Sequence, residues 1–360
     1  MKGAGRVTGA LTNTATGNVR VRDNQAIHFD ATAASSNAGL IEVIEGEIEF
    51  DGALTNSAST GLIAARDAAL RFGGGLTNGG SLALSFGTSD VFGDITNNVG
   101  ATIVVSGGAN ATFYDDIIQN GTFRVSQVGS TTSVAVVLGA FTGSGGSTGG
   151  GDIFFEGDLR PGNSPASVTF ANNISFGSTA TLQIELGGTV AGTQYDQIIV
   201  VGDLALDGTL DVSLINSFNP VPGDEFGIVN VTGSQIGTFQ GLVENAFVGN
   251  FGGTNLFLTY AAGDGNDIAL LAALPGDHDL DGDVDGRDFL AWQRGESPNP
   301  FSPGDLAAWQ ANYGVGSLTS ALRLPPSALH VAVPEPWGLI LVCALFALMP
   351  ARLRCASPRG

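Results

Sequence analysis

A short turn bearing glycine and asparagine returns at near-regular intervals through the first third of the chain. Its clearest copies are Gly9-Ala10-Leu11-Thr12-Asn13, Gly52-Ala53-Leu54-Thr55-Asn56, Gly74-Gly75-Leu76-Thr77-Asn78 and Gly93-Asp94-Ile95-Thr96-Asn97. A weaker Ile117-Ile118-Gln119-Asn120-Gly121 follows, and Asn37-Ala38-Gly39 fills the gap after the first. The asparagines at 13, 37, 56, 78, 97 and 120 are 24, 19, 22, 19 and 23 residues apart, a quasi-period of about 21. Between the turns lie short alternating runs such as Asn18-Val19-Arg20-Val21-Arg22, Glu47-Ile48-Glu49-Phe50 and Ser81-Leu82-Ala83-Leu84-Ser85-Phe86. Each reads as a strand with one buried face. Two or three short strands per period describe one rung of a coil whose rungs pair with their neighbours, a parallel β-helix or related solenoid. The asparagines are expected in the turns, where Asn and Gly tolerate left-handed backbone. An antiparallel sandwich with irregular hairpins is the alternative, and the repeat spacing favours the solenoid.

Composition agrees. Gly accounts for 54 of 360 residues and charged residues for only 13%, against a usual charged share of about 25%. That disfavours a helical bundle, and 43% apolar residues disfavour disorder. The net charge of −20 argues against nucleic acid as a partner and makes divalent cations plausible ligands. Lys2 is the single lysine, and His28, His278 and His330 are the only histidines, so Lys- or His-based catalysis has few candidates. Both cysteines, Cys343 and Cys355, fall near the C-terminus, which leaves the body without an intrachain disulfide.

The period, taken as residues 1–151, breaks at Gly143-Ser144-Gly145-Gly146-Ser147-Thr148-Gly149-Gly150-Gly151, a loop or linker by composition. Residues 152–272 hold longer strands, including Thr181–Leu186, Asp196–Val201 and Thr209–Ile215, several apolar on both sides and so expected to be buried on two faces. Leu159-Arg160-Pro161-Gly162-Asn163-Ser164-Pro165, Tyr195-Asp196-Gln197-Ile198 and Gly202-Asp203-Leu204-Ala205-Leu206-Asp207-Gly208-Thr209-Leu210 resemble the last rungs of autotransporter-type β-helix proteins of the bacterial surface, and Phe226-Gly227-Ile228-Val229 and Gly237-Thr238-Phe239 continue that pattern. The resemblance implies a surface-exposed solenoid that residues 152–272 continue or cap, and no chemistry.

The strongest chemical signal is Asp277-His278-Asp279-Leu280-Asp281-Gly282-Asp283-Val284-Asp285-Gly286-Arg287-Asp288. A Ca²⁺ ion takes six to eight oxygens, which a twelve-residue loop supplies from positions 1, 3, 5, 7, 9 and 12. Those positions are Asp277, Asp279, Asp281, Asp283 through its carbonyl, Asp285 directly or through water, and Asp288; Gly282 sits at the sharp turn and Val284 at the apolar anchor. Phe289-Leu290-Ala291-Trp292-Gln293 reads as the following helix, and Asp305-Leu306-Ala307-Ala308-Trp309-Gln310 repeats it seventeen residues after Asp288-Phe289. In the second copy the first three ligand positions are Arg294, Glu296 and Pro298, so one calcium is expected. With Asp at position 12 and no helix before the loop, residues 273–315 resemble a dockerin module, which implies either a cohesin-like partner or a clamp for the fold.

After a linker over 316–332, Val333-Pro334-Glu335-Pro336 precedes the apolar run Trp337–Met349 and the arginines Arg352, Arg354 and Arg359. Thirteen residues span about 20 Å as a helix, short of the ~30 Å hydrocarbon core; snorkelling arginines complete the span and stay on the cytoplasmic side. Pro334, Glu335 and Pro336, the apolar helix, and Arg352 and Arg354 resemble the PEP-CTERM sorting signal, which implies an exosortase-type processing enzyme, a transient membrane anchor and delivery to the envelope or extracellular matrix. Residues 1–40 show no apolar signal-peptide run, so the true start is expected upstream.

Together these features describe an exported structural or adhesive surface protein. The alternatives are a polysaccharide-binding or polysaccharide-degrading β-helix enzyme, with Asp115-Asp116 or Glu42, Glu45, Glu47 and Glu49 as its carboxylates, and a cohesin-binding component of a surface complex. Glycosidase chemistry needs two carboxylates facing across a cleft at roughly 5–9.5 Å, which adjacency in sequence does not provide. The alternation of Glu47 and Glu49 reads better as a solvated strand face, so no catalytic residue is assigned.

Overall fold

The computed structural model describes residues 1–162 and 165–316. It is mainly β, and its parallel strands form a β-solenoid. Each rung contributes one strand to each of three sheets. One sheet has eleven strands, from Gly5–Val7 through Ala26–Phe29, Glu47–Phe50 and Ala69–Phe72 to Gln235–Gly237. A second has ten, from Thr12–Asn13 through Ser35–Asn37 and Leu54–Asn56 to Thr209–Leu214. The third has thirteen, beginning Asn18–Arg22, Leu40–Ile44, Leu62–Arg66. The register keeps one pleat aligned from rung to rung, as in Leu54↔Leu76↔Ile95 and Thr55↔Thr77↔Thr96. Because strand side chains alternate, every second residue enters the core. Val19, Val21, Ile41, Val43, Ile63 and Ala65 line it from the third sheet. Phenylalanines fill its centre, with Phe29 and Phe50 stacked at 4.7 Å and Phe141 and Phe155 meeting edge to face at 5.4 Å.

The asparagines do something other than turn the chain. Asn13, Asn37, Asn56, Asn78 and Asn97 end strands of the second sheet with ordinary backbone angles, and their side chains point inward. Each Nδ2 donates to the amide oxygen one rung on: Asn13 to Asn37 at 2.7 Å, Asn37 to Asn56 at 2.8 Å, Asn56 to Asn78 at 2.8 Å and Asn78 to Asn97 at 2.7 Å. The other amide hydrogens reach corner carbonyls, as Asn56 Nδ2 does to Gly61 and Ser81 at 3.1 Å. The glycines beside them occupy space a side chain cannot: a Cβ on Gly80 would stand 2.1 Å from the Gly61 carbonyl oxygen. Left-handed backbone is instead found at corner residues such as Asp23, Asn24, Glu45 and Asp67.

The ladder's last member is Gln119, not Asn120. Asn97 Nδ2 donates to Gln119 Oε1 at 2.8 Å, whereas Asn120 accepts from the Ser144 amide at 3.3 Å. The next residue in this slot is Gly143 at φ +104°, where a Cβ would stand 2.3 Å from the Gln119 carbonyl oxygen. The ladder therefore stops for lack of a side chain, and Gln119 Nε2 is left without a partner.

The glycine-rich stretch is accordingly neither loop nor linker. Phe141–Gly143 and Ser147–Thr148 are strands of the second and third sheets, paired with the rungs before and after. The buried Asn172 pins it, accepting from Ser147 Oγ at 2.6 Å and donating to the carbonyls of Val125 and Gly151 at 3.0 Å. Beyond it the parallel coil continues. Thr181–Leu186 and Gln197–Val200 are buried on one face only, because a strand in a one-layer coil has solvent outside, so for them the expectation of two buried faces is corrected; it holds for Thr254–Ala262 and Asp267–Ala272, where Leu256–Tyr260 and Ile268–Leu270 are buried in succession. Asp196 is buried at the corner between these two strands, with Oδ1 accepting from the Ala166 amide at 2.8 Å and Oδ2 from the Glu185 amide at 2.9 Å. Burial pushes its pKa up to about 6, and these two bonds offset only part of the cost. The third sheet then changes direction: Asp267–Ala272, Thr254–Ala262 and Ala246–Phe251 join Glu225–Val231 antiparallel and close that end of the core.

Two short helices follow, α1 (Gly286–Arg294) and α2 (Pro303–Asn312). No helix among the described residues is long and apolar enough to cross a membrane. Pro334, Glu335, Pro336, the apolar run after them, and Arg352 and Arg354 lie outside the described residues.

Candidate metal centre

Residues 277–285 form a loop between the last sheet strand and α1, and residues 286–288 make the first turn of that helix. Its geometry follows from two left-handed residues, Leu280 (φ +58°) and Gly282 (φ +89°), with Gly282 at the position where a sharp turn is expected. Asp285 caps α1, its side chain accepting from the Arg287 amide at 2.6 Å, while Asp288 reaches back to the Asp285 amide at 2.7 Å. This reciprocal box fixes the last two acidic positions against the helix start. Asp288 is fully buried, and its Oδ1 also accepts from the amides of His278 at 2.6 Å and Asp279 at 3.1 Å. One short carboxylate thus ties both ends of the loop together.

The six aspartates converge as two trios. Asp277, Asp279 and Asp281 each place an oxygen within 4.8 Å of the others, and so do Asp283, Asp285 and Asp288. Burial, then the nearby Asp288, pushes the Asp277 carboxyl up to about 7, while the same two causes with Asp281 push Asp279 up to about 6. Asp283 is raised as well, by burial and then by Asp281. The cation at the rim is Arg287, 3.0 Å from Asp281. Two oxygens, Asp277 Oδ1 and Asp283 Oδ1, are buried with no hydrogen-bond partner. Orphaned anionic oxygens among repelling neighbours are what a hard divalent cation would satisfy, so the donor set fits Ca²⁺. The sequence assigned Asp283 by its carbonyl; its side chain lies in the second trio, and its backbone bridges Gly316. His278 is buried with Nε2 unpaired.

The second copy supplies support in place of a loop. Val284 donates to the Val315 carbonyl at 2.8 Å and accepts from the Gly314 amide at 2.8 Å, so the segment after α2 pairs with the loop. Trp309 Nε1 donates to the Asp285 carbonyl at 2.6 Å, and Trp292 Nε1 to the Ser302 carbonyl at 3.0 Å. Phe289 packs between the two indoles, 5.8 Å from Trp292 and 4.9 Å from Trp309. Both tryptophans are half-buried, while Leu290, Phe301 and Tyr313 stay exposed.

Most of the solenoid carboxylates considered for catalysis have other partners. Asp115 accepts from the Gly93 amide at 2.6 Å and Asp116 from the Ala140 amide at 2.8 Å, bracing successive corners. Glu42 pairs with Arg20 and Arg22, Glu47 pairs with Arg71, and Glu45 is a left-handed corner residue. No protein-family model matches the chain, and no curated protein matches it in sequence.

Proposed function

We propose that this chain is an exported structural or adhesive protein of the cell envelope or extracellular matrix. In this reading the solenoid is a stiff spacer, the dockerin-like aspartate loop takes one Ca²⁺ that holds the helical segment, and residues 333–360 act as a PEP-CTERM-type tail, anchored transiently in the membrane until an exosortase-type enzyme processes it. The observation that carries the reading is the continuous parallel pairing of backbone strands from rung to rung, reinforced over the first rungs by the asparagine ladder and ended by the antiparallel strands. Stability in such a coil is a sum of neighbour contacts, so a fully paired coil keeps its two ends at a set separation. When bound, calcium would neutralise the crowded carboxylates; Asp277, Asp279, Asp281, Asp283, Asp285 and Asp288 would hold it. The partners this surface would meet are extracellular polysaccharide or a cohesin-like domain.

The test is to incubate the full chain with acidic and neutral polysaccharides, with calcium and with chelator, and to read both retention and product release. Retention with unchanged polymer length supports an adhesive role, and no retention in either condition supports a spacer. Release of shortened sugars overturns the reading in favour of an enzyme.

A further inference from the structure

On the outer surface of the eleven-stranded sheet, the register sets Arg6, His28, Glu49 and Arg71 side by side on successive strands. Asp51 follows directly after the last residue of the Glu47–Phe50 strand. His28 Nε2 lies 2.8 Å from Asp51 Oδ1, and Nδ1 lies 3.8 Å from Glu49 Oε2. One donor atom from each of the three falls within 4.8 Å of the other two. The flanking arginines are engaged elsewhere, Arg6 with Asp30 and Arg71 with Glu47. This carboxylate pair is therefore matched with an imidazole where its neighbours are matched with guanidinium.

The scaffold beneath is rigid. Ile27, Phe29, Ile48 and Phe50 alternate with His28 and Glu49 and are buried, and the two phenyl rings stack nearly parallel, 3° apart. Both backbones are thus held at rung spacing, and only exposed side-chain rotations are needed to bring the donors together.

We propose that His28, Glu49 and Asp51 form a second metal site, separate in kind from the aspartate loop, for a divalent cation of the first transition row such as Zn²⁺. One nitrogen and two carboxylate oxygens suit such an ion, whereas an all-oxygen loop suits calcium. Zinc binds these ligand types at about 2.0–2.2 Å and takes four in a tetrahedron. Three come from this chain, so the fourth position is open to water or to a donor from another molecule. The ion takes the place of the direct contact between His28 Nε2 and Asp51 Oδ1. The site is outside the coil, so occupancy does not disturb the core.

The experiment is zinc titration of the full chain kept saturated with calcium, by calorimetry and by ¹⁵N imidazole NMR. Zinc is expected to shift the His28 ring nitrogens in the unmutated protein. His28→Ala should lower the zinc count by one while leaving the calcium count unchanged, and Glu49→Gln should weaken zinc binding about tenfold or more. Asp277→Asn should leave the His28 response intact. An unmoved His28 ring signal, or the same zinc count in His28→Ala, overturns the site and leaves His28 and Asp51 as an ion pair. The NMR measurement needs no variant, so it decides the question even if a substitution impairs folding.

Discussion

Asn56 donates from Nδ2 to Oδ1 of Asn78, 22 residues later, at 2.8 Å, and both side chains are completely buried. The bond is one link of a ladder whose interior members, Asn37 to Asn97, are simultaneously donor and acceptor. Removing one amide orphans two neighbours.

Asn56→Ala is expected to destabilise the solenoid by about 2–4 kcal/mol, because it leaves the Asn37 donor and the Asn78 acceptor buried without partners. Thr55→Ala, one residue away on the exposed face, should stay within about 0.5 kcal/mol. Denaturant unfolding of the two variants checks the contrast. Equal losses would mean the ladder contributes nothing specific.

Calcium should raise the unfolding midpoint of the helical segment, by an amount corresponding to about 2.7 kcal/mol at a hundredfold excess over Kd. Asp288→Ala is expected to abolish that gain and also to weaken the segment without calcium, since Asp288 accepts three backbone amides. Tryptophan fluorescence reports the transition, because Trp292 and Trp309 both belong to this segment.

Gly276→Ala should uncouple α2 from the loop. Gly276 is at φ +97°, and an added Cβ would stand 2.6 Å from the Trp309 Cα. Backbone on both sides cannot yield as a side chain can. We expect weaker calcium binding and a red-shifted tryptophan emission, with the unfolding of the solenoid unchanged.

Asp196 predicts a pH dependence with a definite sign. Its carboxyl titrates near 6 in the fold against 3.8 for a free aspartate, so the fold holds the extra proton between those values. Its contribution is therefore full below about pH 4 and is lost as pH rises through about 6. The change is about 3 kcal/mol. Asp196→Asn should flatten this part of the stability profile, and comparison with the unmutated chain removes the overlapping titration of Asp277 and Asp279. An unchanged profile in the variant would sink the assignment.

Several of these features could be read from the residues alone, and others could not. The alternation in Glu47–Phe50 and Leu40–Ile44 marks which side chains enter the core, because strand geometry depends only on local backbone. The aspartates at every second position of 277–285 mark the acidic loop for the same local reason, and the structure gathers them with Asp288 into two trios. The role of the asparagines is not legible in the sequence, since an isolated Asn-Gly pair looks like a turn until the neighbouring rung supplies a partner for its amide. The glycines at 143–151 looked like a linker because composition does not record that Asn172 returns to pin them.

Residue order by itself determined that this chain coils: a hydrophobic period of two within strands and a longer repeat of about 21 between corners permit little else. Only the tertiary structure decided which side chains meet. Corners between equivalent ladder positions vary, so contacts fall 24, 19, 22 and 19 residues apart. A one-residue difference in corner length exchanges the inside and outside of a strand. That is why Gln119 and not Asn120 completes the ladder, and why His28 stands beside Glu49 and Asp51.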